Sequence, residues 1–337
     1  MNPFQYVTAG TPDEAASLIG QNGRYLAGGI DLLGEMKDYI ITPEVLVSLK
    51  GMSQGPPSNL NVITRGSVSQ GPGPASTTPT VYLIGGLVTV AEIAAHDGLK
   101  KDLPGLAEAA AEVGSPQIRN VASLAGNLLQ HSRCWYYRQP DIVCLKRGGD
   151  MCHSHEGENK YHSLFSGNPC ISPVVSNLAV ILTALDASAD VTRAGKTQPM
   201  TMAEFYHEAW INPTAHNSLD PQDFLVNVGI PLKRARSAYR QVSEKSEFDW
   251  ALVSCAAAGN VANGTITDAR VALGSVAPVP YIVEEANRFL EGKPLTDETA
   301  SQAADLILRD AKPLAHNGYK VPLAHALIRR TLLALNP

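Results

Sequence analysis

Along the first fifty residues the spacing of apolar positions changes period twice, sketching helix, strand, glycine turn, helix, strand. Thr11-Pro12-Asp13-Glu14 has the composition of a capped N-terminus and opens a helix through Ile19. Tyr25-Leu26-Ala27 reads as a short strand and Val45-Leu46-Val47-Ser48-Leu49 as another, so the chain begins as an α/β unit. Residues 53–80 break the pattern: Gly, Pro, Ser and Thr surround one short apolar stretch, the composition of an exposed loop between strands. Beyond it, Val81–Ile84 is a strand and Gly85-Gly86 a turn. Thr89-Val90-Ala91-Glu92 has capping-box spacing at the start of a helix, and a further helix covers Gly105–Val113. Leu178–Leu185 is apolar enough for a buried helix or strand, and Ala189–Thr192 begins a strand pair.

The pattern shifts after Ile230-Pro231-Leu232. From Ser237 it predicts two strands, a hairpin turn at Asn263-Gly264, and a strand over Asp268–Leu273. Helices follow from Ile282, from Asp297 and over Val321–Leu335. This is a second, α+β domain, β-meander first and helices after.

Composition narrows the class. The chain has 337 residues, 44% hydrophobic and 18% charged, which gives room for two or three domains with a substantial core and no need of staples. A net charge of −5 argues against nucleic acid as the main partner. Met1–Leu18 has neither a charged n-region nor an apolar h-region, and no later run is long enough to span a bilayer. Neither a signal of its own nor direct membrane insertion is therefore expected.

Two glycine-bearing segments are candidates for ligand contact. Ala27-Gly28-Gly29-Ile30-Asp31-Leu32-Leu33 lies between a strand and a helix, where backbone N–H groups can be aimed at a phosphate; a plain tight turn fits equally. It matches neither a dinucleotide fingerprint nor a P-loop. In Gly114–Leu128, Pro116 precludes ordinary helix continuation, and small residues and amides replace the bulk of a core. That suits a backbone walking along a ligand or a structural crossover.

Four of the five cysteines, Cys134, Cys144, Cys152 and Cys170, fall in one polar segment, while Cys255 lies in an apolar run and reads as a small buried hydrophobe. The spacings C-x9-C, C-x7-C and C-x17-C do not match short zinc knuckles. With His131, His153, His155 and His162 nearby, a zinc-stabilised binding module, two disulfides, an iron–sulfur cluster and a solvated insertion all stay open.

AGGIDLLGEMK followed by VGSPQIRNVASLAGNLLQ resembles the FAD-binding medium subunit of the molybdenum hydroxylases, the xanthine dehydrogenase and carbon monoxide dehydrogenase family. ASADV, DARVALGSVAPVP and KVPLAHALIRRTLL extend the resemblance over nearly the whole chain. RCWYYRQ, CLKRGGDMC and GENKYHSLF are similar to flavin subunits of bacterial aldehyde oxidoreductases that carry an extra cluster. The resemblance implies an α+β architecture. Residues 1–232 would be a FAD-binding domain of the PCMH/vanillyl-alcohol-oxidase type with two α/β subdomains and a [4Fe–4S] loop at 131–170. Residues 233–337 would be a C-terminal domain like that of the CO dehydrogenase flavoprotein.

For the site, the resemblance implies that Ala27, Gly28, Gly29, Ile30, Asp31, Leu32 and Leu33 wrap the FAD diphosphate, and that Gln117, Ser123, Gly126, Asn127 and Gln130 line the rest of the cofactor. Cys134, Cys144, Cys152 and Cys170 would hold the [4Fe–4S] cluster, with Arg133, Arg138, Lys146, Arg147 and Lys160 offsetting its charge. The chain departs from the family pattern at three positions: Ile30 replaces a usual Thr, Asn177 an Asp, and Gln241 a Lys expected near the flavin ring. Loss of that cation would disfavour negative charge on the ring.

The implied function is electron transfer within a heterotrimer. A large subunit carries molybdopterin and oxidises an aldehyde, a small subunit carries two [2Fe–2S] centres, and this chain passes electrons through FAD to an external acceptor, inactive alone. A xanthine or purine dehydrogenase subunit is the alternative within the family, and a covalent-flavin oxidase of the related fold the alternative beyond it. The expected location is cytoplasmic, or periplasmic if a signal-bearing partner carries the folded complex out.

Overall fold

The computed structural model describes residues 1–54, 60–67, 80–193 and 195–337. Its first sheet is parallel: β1 (Gln5–Thr8), β2 (Gly23–Leu26) and β3 (Val45–Ser48), in the order β1-β3-β2. Parallel neighbours need crossovers, and the helices Pro12–Leu18 and Leu32–Lys37 supply them. The first starts as its sequence predicts, with Thr11 Oγ1 accepting the Glu14 N–H at 3.2 Å.

The second sheet is antiparallel, formed by β4 (Ile63–Ser67), β5 (Thr80–Gly85), β6 (Ser188–Arg193), β7 (Lys196–Thr201) and β8 (Phe224–Pro231) in the order β4-β5-β8-β6-β7. β4 corrects the expectation of a plain loop over 53–80: Ile63 to Ser67 pair with Ile84 to Thr80. The remainder of that expectation, at 55–59 and 68–79, lies outside the described residues. Thr89 forms the expected capping box with Glu92. The same Thr-x-x-Glu signal at Thr201 and Glu204 opens a helix, Met202–Ile211, that the apolar pattern did not single out.

The third sheet holds β9 (Arg236–Val242), β10 (Val253–Ala262), β11 (Thr265–Gly274) and β12 (Lys293–Pro294), all antiparallel, in the order β12-β11-β10-β9. Asn263 and Gly264 turn the β10–β11 hairpin with φ of 51° and 74°, the left-handed pair a two-residue hairpin loop requires. The helices Glu284–Leu290, Asp297–Leu308 and Lys320–Leu333 pack against this sheet around a second core that includes Cys255, Ile266, Leu273, Ile307 and Ile328. Burial pushes the Cys255 thiol up to about 12, as befits the predicted small hydrophobe.

Candidate functional site

A cavity of about 610 Å³ opens between the parallel sheet, the Gly114–Gln130 segment and the β9–β10 loop. The glycine turn follows β2 and ends at the helix Leu32–Lys37. Ala27, Gly28, Gly29, Ile30, Asp31 and Leu32 all line the cavity. The second segment forms two short helices, Pro116–Arg119 and Leu124–Leu128, each started by a serine hydroxyl accepting a backbone N–H: Ser115 from Ile118 and Ser123 from Gly126. Pro116 sits in the first turn of its helix, where its missing N–H costs nothing. Ser123, Gly126, Asn127, Gln130 and Asn177 face the same cavity, so both glycine segments converge on one space.

Three positions named from the sequence do not line it: Leu33, Gln117, which is exposed, and Gln241. Gln241 instead accepts a hydrogen bond from Asn177 Nδ2 at 3.0 Å and donates to Glu112 at 3.2 Å. The two positions at which a family carboxylate and a family cation are replaced thus meet as a neutral amide pair. Gly28 has a reason other than ligand approach, because a Cβ there would stand 2.1 Å from the Val121 carbonyl oxygen. Its bare backbone lets the two cavity-lining segments touch.

Side chains that motif reading missed complete the wall: Glu35, His131, Arg133, Phe248 and Trp250. Asp31 Oδ1 accepts from Arg138 at 2.8 Å and forms an ion pair with Arg133 Nη2 at 2.9 Å, and its Oδ2 accepts from the His131 N–H at 2.8 Å. Glu35, one turn along the helix and 2% exposed, accepts from Tyr137 at 2.9 Å and lies 3.1 Å from His131 Nδ1. Burial and the Glu35 carboxylate push the Tyr137 hydroxyl well above its ordinary value. The His131 ring stacks on His216, 4.1 Å between centroids, and burial holds His216 neutral by pushing its pKa far down. The i, i+4 spacing of Asp31 and Glu35 was the available signal for this carboxylate pair.

Immediately beyond, Cys134, Cys144, Cys152 and Cys170 line one small chamber of about 10 Å³ with Tyr137, Lys146 and Ser154. All four are free thiols, so the two-disulfide option is not the arrangement found. Cys134 Sγ lies 3.2 Å from His162 Nε2. Cys152 and Cys170 hydrogen-bond each other, which pushes the Cys152 thiol down and the Cys170 thiol up. Among the described residues no group of three or more His, Cys, Asp or Glu side chains stands as a ready-made metal site, in keeping with a chamber that closes over a water-sized space.

Of the five cations expected around the cysteines, Lys146 alone lines the chamber, its Nζ donating to the carbonyls of Pro213 and Ala215 at 3.2 and 2.7 Å. Arg133 and Arg138 are drawn to Asp31, Arg147 to the carbonyls of Gln139, Pro140 and Ile142, and Lys160 to Glu244. Asn159 and Asn317 tie the loop down, bonding Ser154 and Gly157 carbonyls in the one case and those of His162 and Ser163 in the other.

Residues 2–233 match the family described as the FAD binding domain in molybdopterin dehydrogenase, and residues 237–335 match the CO dehydrogenase flavoprotein C-terminal domain. The chain belongs to the FAD-binding medium subunits of the molybdenum hydroxylase family. It is 33% identical over 342 aligned residues to the aldehyde oxidoreductase FAD-binding subunit PaoB of Escherichia coli (strain K12), covering 99% of this chain and 98% of that one. The carbon monoxide dehydrogenase medium chain of Hydrogenophaga pseudoflava is 24% identical, with 98% and 96% covered. The fold matches a solved structure of carbon monoxide dehydrogenase from the same organism at a TM-score of 0.73, and of quinoline 2-oxidoreductase from Pseudomonas putida 86 at 0.72, covering 99% and 98% of this chain and 97% and 96% of theirs. Identities of 23% and 21% make these likenesses of fold. Among the described residues no helix is long and apolar enough to cross a membrane.

Proposed function

We propose that the chain is the electron-transfer subunit of a heterotrimeric molybdenum hydroxylase that oxidises aldehydes, inactive alone, holding one noncovalent FAD and one [4Fe–4S] cluster. The observation that carries this reading is a shared wall: Gln130, His131 and Arg133 line the large cavity, and Cys134 lines the thiol chamber.

The large cavity fits a flavin nucleotide. It is mostly apolar and is lined by residues 27–32 of the glycine turn, with Ser123, Asn127 and Gln130 as polar contacts. FAD bound there would supply one- and two-electron exchange. The protein's own part is to fix it: Asp31 is already paired with two arginines, so its carboxylate repels a phosphate less, and Asn177 presents a neutral amide to the cavity beside the Glu112 carboxylate.

The cysteine chamber fits in donor type, four thiols and no carboxylate, with one buried lysine to offset thiolate charge. Its volume requires the thiols to move apart around a cluster. Electrons would arrive from [2Fe–2S] centres on a small subunit, fed by a molybdopterin-bearing large subunit, and leave to an external acceptor. Resemblance to an aldehyde oxidoreductase subunit favours an aldehyde over a purine. The compartment follows the partners, cytoplasm or periplasm.

Anaerobic purification of the full chain tests the cofactors: about four iron and four labile sulfide per chain are expected, with flavin released by acid. Cys144→Ser is expected to lose the iron and retain FAD. Zinc alone would overturn the cluster, and flavin retained after acid precipitation would overturn the noncovalent reading. Copurification from the host tests the trimer, and aldehyde against purine turnover by that complex tests the substrate.

A further inference from the structure

Arg133 is the one arginine of the Asp31 group that lines the large cavity. Its neighbour Arg138 spends its donors inside the protein, on the Ser132 and His131 carbonyls at 2.7 and 3.3 Å as well as on Asp31. Arg133 is partnered more sparsely. Its Nη2 meets Asp31 Oδ1 at 2.9 Å, its guanidinium carbon lies 4.5 Å from the centroid of the Trp250 ring, and its Nε is buried with no acceptor. A guanidinium offers five N–H donors in a rigid fork, and a buried donor left unpaired costs stability until an acceptor arrives. The side chain remains 23% exposed and lines the cavity, so a ligand there can meet it.

Arg133 does not line the cysteine chamber, which removes thiolate charge as the reason for its burial. Asp31, which holds it, belongs to the glycine turn, so a ligand group that reaches Arg133 is also beside the turn's backbone. The Trp250 ring, which also lines the cavity, supports the guanidinium through a cation–π contact.

We propose that Arg133 is a side-chain cation for the diphosphate of the bound nucleotide, aimed by Asp31 and backed by Trp250. The proposal rests on the FAD reading of the cavity. Within FAD the diphosphate is the charged part, and a planar fork suits phosphate oxygens better than a flavin ring does.

The test titrates the full chain, stripped of flavin, with FAD and with riboflavin, which lacks the diphosphate, following flavin fluorescence. For Arg133→Gln the FAD affinity falls on the order of ten-fold or more while riboflavin affinity is unchanged, and Arg133→Lys falls between. Trp250→Ala, in an exposed loop, weakens FAD by less, in the same selective sense. Equal losses for the two ligands, or no loss for FAD, overturn the proposal. If riboflavin binds too weakly to titrate, salt decides: FAD binding less salt-dependent in Arg133→Gln than in the parent supports it, and an unchanged dependence overturns it. A parent chain that binds no FAD overturns the flavin reading itself, whereas a parent that binds FAD as tightly as Arg133→Gln overturns this assignment alone.

Discussion

Arg138 Nη2 donates to Asp31 Oδ1 at 2.8 Å across 107 positions of sequence, joining the glycine turn to the start of the cysteine loop. Both side chains are shielded, at 16% and 17% exposed, so solvent weakens the contact little. Arg138→Gln removes this charge-assisted bond and the one to the Ser132 carbonyl. Stability is expected to fall by about 2 kcal/mol, read by denaturant unfolding. Because Cys134 lies four residues away on the same segment, the cysteines of the cluster-free chain should also react faster with a thiol reagent. Unchanged thiol reactivity would refute the coupling of turn to loop.

Gly28 and Gly34 stand six positions apart and should respond oppositely to a methyl group. A Cβ at Gly28 meets the Val121 carbonyl oxygen at 2.1 Å, whereas one at Gly34, inside the helix Leu32–Lys37, meets nothing within 4 Å. Gly28→Ala is expected to cost about 3 kcal/mol, since backbone must move against backbone. Gly34→Ala should gain roughly 0.5–1 kcal/mol from reduced chain entropy. Urea midpoints measure both, and equal shifts would contradict the packing at Val121.

Local signals carried much of the fold. Thr11, Thr89 and Asn263-Gly264 mark element ends through contacts with residues close in sequence, and each does in the structure what its spacing predicts. β8 was not legible as the central strand of its sheet, because its neighbours β5 and β6 are set by pairing over long separations. The site divides the same way. The resemblance named the residues of the two glycine segments that line the cavity. The Asp31–Arg133–Arg138 group and the Phe248 and Trp250 wall depend on contacts between distant segments that no motif encodes. Gln241 shows the limit most plainly: its position is recognisable, yet its partner Asn177 is a second departure, and only the fold brings the two together.

Lys320 supplies a pH test of the C-terminal domain. It is fully buried at the start of the helix Lys320–Leu333, where its Nζ donates to the carbonyls of Tyr161 and Ser275, each at 2.8 Å. Burial pushes its pKa down to about 7, against an ordinary value of 10.5. Below pH 7 the amine is charged in the folded and unfolded chain alike, and the folded state bears the full cost of a buried charge. Between about pH 7 and 10 the unfolded chain keeps the proton that the folded chain has released, so this residue makes stability rise with pH, by about 1.4 kcal/mol per unit at most. Lys320→Met abolishes the term while leaving the other titrating groups in place. The stability of the parent minus that of Lys320→Met, from urea unfolding at pH 7, 8 and 9, is therefore expected to increase steadily with pH. A difference that stays flat would show that Lys320 keeps its proton in the folded state.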